Sequence, residues 1–470
     1  MNNRIQNLLK NSFIFMIGNF ASKILIFLLL PLYTNYLDPA EYGQVDIYIN
    51  ILAIFYSVVS LQSCESVFRF MVDAKTEEDK RSIISNSFVV ALCGILLFTI
   101  GMCIFGSITG FKYTIVFILY VCFNIFAFFS QQAIRGLNYT VLYSTIGVVS
   151  TLVQIFSNIV FIVVCKFGSV SLLWAHVITY IFVFLSILIK CDLFKYFKPS
   201  AIKLSIVKEH LKFNLPLLPN AICIWGISSL GKYLLLFFYT TAEVGLFSFA
   251  TKFSQIIIAI NSILFMAWQQ SAISEYNSED KNEYATEVFN KFLSLELCAT
   301  AVILPLVKLL IFTVMGEDYR LAWIYVPIFF IGTILKFCGQ FASIGFFGAK
   351  KTNTVFFASM TSIIVYMVIG YFAAKEFYIL GVGISYTIAQ LVDYLIIQIR
   401  VKKYMHAKPL LKKLCIPIVS FAISMALYYV LDSWFVLIAV ALIFGVITLI
   451  SNMQFIKEII TTIFSKAKNK

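Results

Sequence analysis

Residues 83–132 read IISNSFVVALCGILLFTIGMCIFG, then SITGFKY, then TIVFILYVCFNIFAFFSQQ, and Lys112 is the one residue of lysine, arginine, aspartate or glutamate type among them. Two apolar runs, 83–105 and 113–132, flank a short break containing glycine and lysine. At about 1.5 Å per helical residue, each run reaches across a hydrocarbon core of roughly 30 Å. A backbone in lipid must satisfy its own hydrogen bonds, so runs of this kind are helices. The stretch reads as a pair of membrane-spanning helices joined by a tight outward turn.

The same pattern fills the chain. Apolar runs at 12–37, 43–68, 83–105, 113–132, 141–165, 171–190, 213–239, 245–271, 291–314, 322–346, 354–375, 380–400, 414–431 and 434–453 alternate with short polar breaks. The reading is an all-α integral membrane protein of about fourteen transmembrane helices; without the last pair it has twelve, in the same orientation. Composition agrees: 61% of the 470 residues are hydrophobic types and 13% are charged, with a mean hydropathy of +0.92. Soluble domains run at about 45–50% apolar and about 25% charged. A water-soluble fold of this length could not hide that much apolar surface.

The formal net charge of +13 suggests nucleic acid only until its distribution is considered. With the N-terminus in the cytoplasm, 26 of the 36 lysines and arginines fall in inward segments. Only Lys112, Lys166, Arg320 and Lys375 fall in outward loops. That is the positive-inside asymmetry, and it also draws the inward face to anionic lipid headgroups. Both termini are expected in the cytoplasm, with membrane lipids rather than nucleic acid as partners. The ten cysteines are scattered singly without a CxxC pair, and with three histidines they form no metal motif, so they read as packing residues. The run from Ser12 to Leu37, behind Arg4 and Lys10, is too long for the apolar part of a secretory signal and reads as a retained first helix.

The chain divides into an N-terminal lobe (1–190), a basic cytoplasmic linker (191–212), a C-terminal lobe (213–400), and an extra helix pair with a basic tail (401–470). The second lobe restarts like the first. Ala40-Glu41-Tyr42-Gly43 opens the second span, and Ala242-Glu243-Val244-Gly245 opens the eighth, 202 residues later. Six helices separate the copies, so they share one orientation. This is a parallel repeat about an axis along the membrane normal, a scheme used by secondary transporters.

Polar groups within these spans mark where function lies, because a charge near the bilayer centre costs at least about 2.5–3.5 kcal/mol. The first span carries Asn19, Ser22 and Lys23, the lysine more than ten residues from either end. Gln62, Glu65 and Arg69 form a face of the second span, and Asn124, Gln131 and Arg135 a face of the fourth. In the second half Ser228, Ser229 and Lys232 lie on the seventh span, Lys252, Gln255, Ser262 and Gln269 on the eighth, and Lys336, Gln340 and Ser343 on the tenth. Such stripes imply a hydrated interior. Deep cations outnumber deep anions, so the interior attracts an anion, and lysine suits phosphate or diphosphate as a compact charge. The substrate-contact candidates are Lys23, Lys232, Lys252, Lys336, Arg69, Asn19, Gln131 and Gln255. Glu65 and Asp46, nearer span ends, are the candidate ion-coupling carboxylates.

Blander readings stand beside these. Arg69, Lys308 and Asp393 lie near span ends, where snorkelling to the rim competes with ligand contact. Glu65 and Arg69 fit an i,i+4 ion pair. His176 reads as packing, and Pro31, Pro216, Pro219, Pro305 and Pro327 read as helix kinks. No GxxxxGK[ST] loop, nucleophile elbow or HExxH motif occurs, so neither ATP hydrolysis nor a catalytic constellation is read from the chain, and no cofactor or metal is called for.

The opening of the chain, Ser22-Lys23, Pro31-Leu32-Tyr33 and Tyr36-Leu37-Asp38-Pro39-Ala40-Glu41-Tyr42-Gly43, resembles bacterial polysaccharide (O-antigen, Wzx-type) flippases. These belong to the multidrug/oligosaccharidyl-lipid/polysaccharide (MOP) exporter superfamily. Leu215-Pro216-Leu217-Leu218-Pro219-Asn220 and Ala242-Glu243-Val244-Gly245-Leu246-Phe247-Ser248 carry the same likeness into the second half. The resemblance implies a MATE-like fold of two six-helix lobes plus a helix pair, around a central cavity that opens alternately to each side. It implies translocation of an undecaprenyl-diphosphate-linked oligosaccharide, an O-antigen or other surface-polysaccharide repeat, across the bacterial inner membrane. Other polysaccharide-assembly proteins are then partners. One departure is visible: Gly231 precedes Lys232 where relatives often carry an acidic residue. The alternatives are a peptidoglycan lipid-precursor flippase, a MATE-type multidrug or cation antiporter, and an intramembrane glycan polymerase or ligase. Cationic spans argue against the antiporter, and outward breaks of only a few residues argue against the polymerase.

Overall fold

A computed structural model describes residues 27–349 and 353–453. Among the described residues the elements are helical, with no strand. They are α1 (Leu30–Tyr36), α2 (Pro39–Val59), α3 (Ser63–Asp73), α4 (Glu77–Thr109), α5 (Thr114–Gly136), α6 (Thr140–Ile159), α7 (Ser171–Cys191), α8 (Leu204–Asn214), α9 (Leu217–Phe238), α10 (Thr241–Ser274), α11 (Lys281–Thr313), α12 (Val326–Gly348), α13 (Asn353–Val401), α14 (Leu411–Val430) and α15 (Trp434–Ser451). Twelve described helical stretches are long and apolar enough to cross a membrane. One of them, α13, is two spans: Tyr378 leaves helical geometry (φ 53°, ψ −135°) between the runs 354–375 and 380–400. The expected first span lies mostly outside the described residues, and α1 is its end. Apolar side chains stand exposed along these helices, Leu97 at 72%, Ile108 at 79% and Ile115 at 69%. In a membrane protein that is the surface offered to lipid.

Polar residues at the breaks start and stop the helices. Asp38 accepts the Glu41 N–H and Pro39 occupies the first turn, which opens α2. Thr76 with Asp79, and Thr240 with Glu243, form capping boxes at the starts of α4 and α10. The two halves of the Ala-Glu-x-Gly repeat are therefore the first turns of α2 and α10. Of the five prolines expected to kink spans, only Pro305 lies in a helix interior. Pro31, Pro219 and Pro327 sit in the first turns of α1, α9 and α12, and Pro216 in the turn before α9. There a missing N–H costs nothing, so they begin helices rather than bend them.

The described residues form two compact units, which divide between Ser229 and Leu230 within α9. In the first unit α5 packs against α3, α4 and α7. Helix α2 does not run on into α3. Leu61 and Gln62 both adopt left-handed backbone (φ 46° and 58°), an uncommon choice for non-glycine residues, and break the helix. In the second unit α11 packs against both α14 and α15, and α12 packs against α10 and α13. The core between α10, α11 and α12 is aromatic, with Trp268 stacked on Phe341 at 4.3 Å and Phe289 and Phe337 around them. A cross-link of a different kind closes the break in α13: Tyr239 Oη donates to the carbonyls of Ala374 and Lys375, and its ring stacks on Tyr378 at 4.5 Å.

The basic linker is structured and docked. It folds into two single turns, Leu193–Tyr196 and Pro199–Ala201, followed by α8. Three consecutive side chains of α4 hold it. Ser85 bonds the Tyr196 carbonyl and the Lys198 N–H, and Ser87 bonds His210, whose ring stacks on Phe70. Between them Asn86 donates to the Ala201 carbonyl (3.0 Å) and accepts the Lys203 N–H (2.9 Å). The second unit repeats this device on α11. Asn290, 204 residues later, donates to the Lys408 carbonyl (2.9 Å) and accepts the Leu410 N–H (2.8 Å). Each asparagine also bonds the carbonyl four residues before it, Ser82 or Thr286. The helices α4 and α11 are both 33 residues long. The parallel repeat is thus visible in side-chain chemistry as well as in the four-residue motif.

Candidate functional site

The sequence candidates spread over several helices. Asn19 and Lys23 lie outside the described residues. Lys232 on α9, Lys252 on α10 and Lys336 on α12 are each half-buried, and α10 packs directly on α12. Among the described residues Lys252 has no ion-pair or hydrogen-bond partner. Lys336 differs, because Asp393 of α13 is its electrostatic neighbour and Ser359 Oγ lies 3.4 Å from that carboxylate. Asp393 approaches α12 so closely that a Cβ on Gly339 would stand 2.9 Å from its Oδ2. This aspartate, expected at a helix rim, belongs with Lys336. Gln255 is exposed on α10 and Gln131 half-buried on α5.

The candidates near the Leu61–Gln62 break come out differently from the i,i+4 expectation. Arg69 pairs with Asp73 at 2.5 Å on an exposed face of α3, not with Glu65. Glu65 is exposed and has Arg135 of α5 as its charged neighbour, while Arg135 itself stacks on Phe68 at 4.1 Å. Asp46 is buried in α2 beside Tyr42. The structure therefore brings Glu65 towards Arg135 and Lys336 towards Asp393, and leaves Arg69 engaged with its own helix.

Gly231 has a packing cause. A Cβ there would meet Tyr366 Oη at 2.6 Å, Phe247 Cζ at 2.8 Å and Val382 Cγ1 at 2.8 Å. The place a carboxylate would take before Lys232 is filled by these three side chains.

Three features escaped the sequence reading. Lys308 does not snorkel. It is 1% exposed, donates to the carbonyls of Tyr428 (2.8 Å) and Leu431 (2.7 Å) and to Asp432 (3.0 Å), and lies 4.3 Å from the Trp323 ring. A cation there satisfies carbonyls left open at the C-terminus of α14. His176 is more than packing, being bonded to Gln154 at 3.0 Å and set beside Tyr120 and Tyr180. Glu296 is buried in the middle of α11. Its signal was present: it is the single charged residue between Lys291 and Lys308. Among the described residues no group of three or more His, Cys, Asp or Glu could hold a metal ion. The cavity of about 490 Å³ lined by Asn282, Glu287, His406 and Lys413 borders the second clamped linker and includes none of the candidate residues.

Comparison with known proteins places this architecture. The family model described as polysaccharide biosynthesis protein matches residues 8–273. No curated protein sequence matches the chain. Among solved structures, the lipid II flippase MurJ in an inward closed conformation is similar with a TM-score of 0.74 at 15% identity, covering 95% of this chain and 100% of that one. An inward-facing multidrug resistance MATE transporter of the MOP superfamily follows at 0.59 and 15% identity, over 83% of this chain and 95% of that one. The MATE transporter VcmN of Vibrio cholerae follows at 0.58 and 13% identity, over 85% and 96%. At these identities the structures speak for the fold, and the family match covers more than half of the sequence. The chain is a multi-pass membrane protein with the fold shared by these solved structures, and it belongs to the polysaccharide biosynthesis protein family.

Proposed function

We propose that the chain is a flippase of the bacterial inner membrane that translocates an undecaprenyl-diphosphate-linked oligosaccharide, a Wzx-type substrate, by alternating access. The observation that carries this reading is the family match over residues 8–273. The flippase fold supports it, since the MurJ likeness extends over the whole of that chain. Lys23, Lys232, Lys252 and Lys336 attract the diphosphate or acidic sugars, while Asn19, Gln131 and Gln255 meet sugar hydroxyls. Lys252 is the strongest of these, half-buried on a transmembrane helix with its ammonium uncompensated among the described residues. Lys336, with Asp393 beside it, is the weaker attractor. Arg69 is second-rank for the same reason, and Glu65 and Asp46 remain the carboxylates proposed for ion coupling. The termini are cytoplasmic, and the two clamped linkers, rich in lysine, face anionic headgroups on that side.

The likeness to a lipid II flippase favours one second reading, flipping of a peptidoglycan lipid precursor. A deletion in the native bacterium separates the two, with surface glycan, cell-wall precursor, drug sensitivity and viability scored together. Loss of surface glycan with lipid-linked repeats retained inside, restored by the wild-type chain but not by Lys252→Ala at equal protein level, supports the proposal. Lethality with accumulated cell-wall precursor supports the second reading. Normal glycan with new drug sensitivity overturns both.

A further inference from the structure

The second unit holds a carboxylate that the substrate reading does not use. Glu296 is 1% exposed on α11 and faces α10, where Asn261 Nδ2 donates to its Oε1 at 2.8 Å. Its Oε2 and the Asn261 Oδ1 are both buried and, among the described residues, without a hydrogen-bond partner. Two orphaned acceptors side by side lack a donor. The surroundings are apolar: Leu293, Leu297, Leu264, Ile334 and Phe337 belong to the same core.

Among the described residues no cation compensates the charge; Arg320, in the turn Glu317–Ile324 that also packs on α11, pairs with Glu317. On its own helix Lys291 pairs with Glu287 and Lys308 with Asp432. Of the helices packed against α11, α12 contributes the thiol of Cys338, which senses Glu296 electrostatically, and Lys336, which has Asp393 as its neighbour. On α10 the nearest charged residue, Lys252, is nine positions before Asn261, and α15 bears none. The charged residues of α14, Lys412 and Lys413, stand in its first turn, and Asp432 follows its end on Lys308. An ionised carboxylate buried without a partner is costly enough to be neutralised instead.

The repeat shows that packing does not require this pair. At the offsets of 202 and 204 residues, the positions of Asn261 and Glu296 correspond to Val59 and Leu92 in the first unit. There α2 and α4 approach closely, a Cβ on Gly94 falling 1.9 Å from the Val59 carbonyl oxygen. The same helix contact is thus built from apolar residues in one unit and from a carboxylate and an amide in the other.

We propose that Glu296 and Asn261 form a proton-binding site inside the second unit, occupied by one proton on Glu296. The proton supplies the missing donor and removes the charge in one step. A metal cation fits less well, because hard cations gather about six oxygens and this pair offers three. On α11, Thr300 Oγ1 is committed to the Glu296 backbone carbonyl at 2.7 Å and Ser294 Oγ to Asn452 Oδ1 at 2.9 Å. The proton leaves to water, and returns from it, only when α10 and α11 separate enough to wet the carboxyl. Packing of these two helices is thereby tied to proton occupancy. The inference does not rest on the substrate proposed above.

Infrared spectra of the full-length protein in lipid nanodiscs test it. Near neutral pH in choline chloride, a protonated-carboxyl C=O stretch is expected in wild type, lost in Glu296→Gln, retained in Asp393→Asn and unchanged on exchange into sodium chloride. A band that survives Glu296→Gln, or no such band in wild type, overturns the proposal. So does a band removed by sodium, which would make the occupant a metal cation. If Glu296→Gln does not give a monodisperse protein, Asn261→Leu serves instead: losing the amide donor should shift the band upward, and an unshifted band refutes the site.

Discussion

Replacing Lys308 by methionine separates a lysine that holds the fold from lysines that meet substrate. All three ammonium protons are used, on Tyr428 O, Leu431 O and Asp432 Oδ1. Asp432 is 88% exposed, so its ion pair is screened by water and counts for little. The two carbonyl bonds matter more, since a buried acceptor left unmade costs about 1–3 kcal/mol. Against this, methionine keeps much of the apolar stem and relieves the desolvation of a buried ammonium. The net expectation is destabilisation by about 1–3 kcal/mol for Lys308→Met. Lys308→Ala also removes three methylenes at roughly 0.8 kcal/mol each, bringing the loss to about 3–5 kcal/mol.

Thermal unfolding in detergent, read by a thiol-reactive dye that reports exposure of buried Cys298 and Cys338, gives the order. Wild type should unfold last, Lys308→Met earlier and Lys308→Ala earliest, with Lys252→Ala close to wild type. Export by Lys308→Met, corrected for folded protein, should be nearly normal. A methionine variant as stable as wild type would show that desolvation cancels the carbonyl bonds and that Lys308 does not clasp α14. Normal stability with abolished export would move this lysine into the transport pathway.

Three further outcomes follow from the geometry. Gly231→Ala should destabilise by about 1–3 kcal/mol through overlap with Tyr366, Phe247 and Val382. Gly226→Ala, on the same helix with nothing within 4 Å of its Cβ among the described residues, should be neutral or stabilising by the same dye assay. Asn86→Ala and Asn290→Ala each remove the two side-chain bonds to a linker backbone, so limited proteolysis should cut faster near 198–203 in one and near 406–410 in the other, and identical patterns would contradict independent clamps. His406, in the second linker, has its pKa lowered by burial and by Lys408 and Lys402. Folding therefore favours its neutral form, and that contribution, full above the ordinary histidine pKa of about 6.5, fades as pH falls through and below it. Protection factors of amides in 402–410, taken as exchange rates corrected for the intrinsic pH dependence of exchange, should fall on acidification, and His406→Asn should flatten that dependence.

How much of this was legible in the sequence depends on the physics that writes each feature. Spanning helices are written by hydropathy over some twenty residues, so the apolar runs and even the break at Tyr378 could be read directly. The Ala-Glu-x-Gly repeat was legible because a helix start is local chemistry, an acceptor side chain before an acidic first turn. Side-chain partners across helices are not local. Asp393 and Lys336 lie 57 residues apart, and Lys308 and Tyr428 120 apart, so a span edge was the best available reading of Asp393 and Lys308. Glu296 was hidden by a boundary: α11 begins at Lys281, ten residues before the apolar run that suggested its start. A carboxylate five residues into the expected span is fifteen residues into the real helix, deep in packing.

The repeat then sorts architecture from function. Features that recur at offsets of 202 and 204 residues, the capped starts of α2 and α10 and the asparagine clamps on α4 and α11, are what each unit needs to fold. Where the units differ, a separate cause is required. The first breaks its long helix at Leu61 and Gln62, two left-handed non-glycine residues at about 1–3 kcal/mol each, whereas the second runs unbroken through α10 for 34 residues. The first packs α2 on α4 through Val59, and the second sets Asn261 against Glu296 on the equivalent helices. Strain in one unit and an orphaned acceptor pair in the other are both costs that a purely structural repeat would have shed. The two units therefore differ in chemistry at the equivalent place: a helix break with Glu65 and Arg135 near it in one, and the Asn261–Glu296 pair, proposed above to bind a proton, in the other.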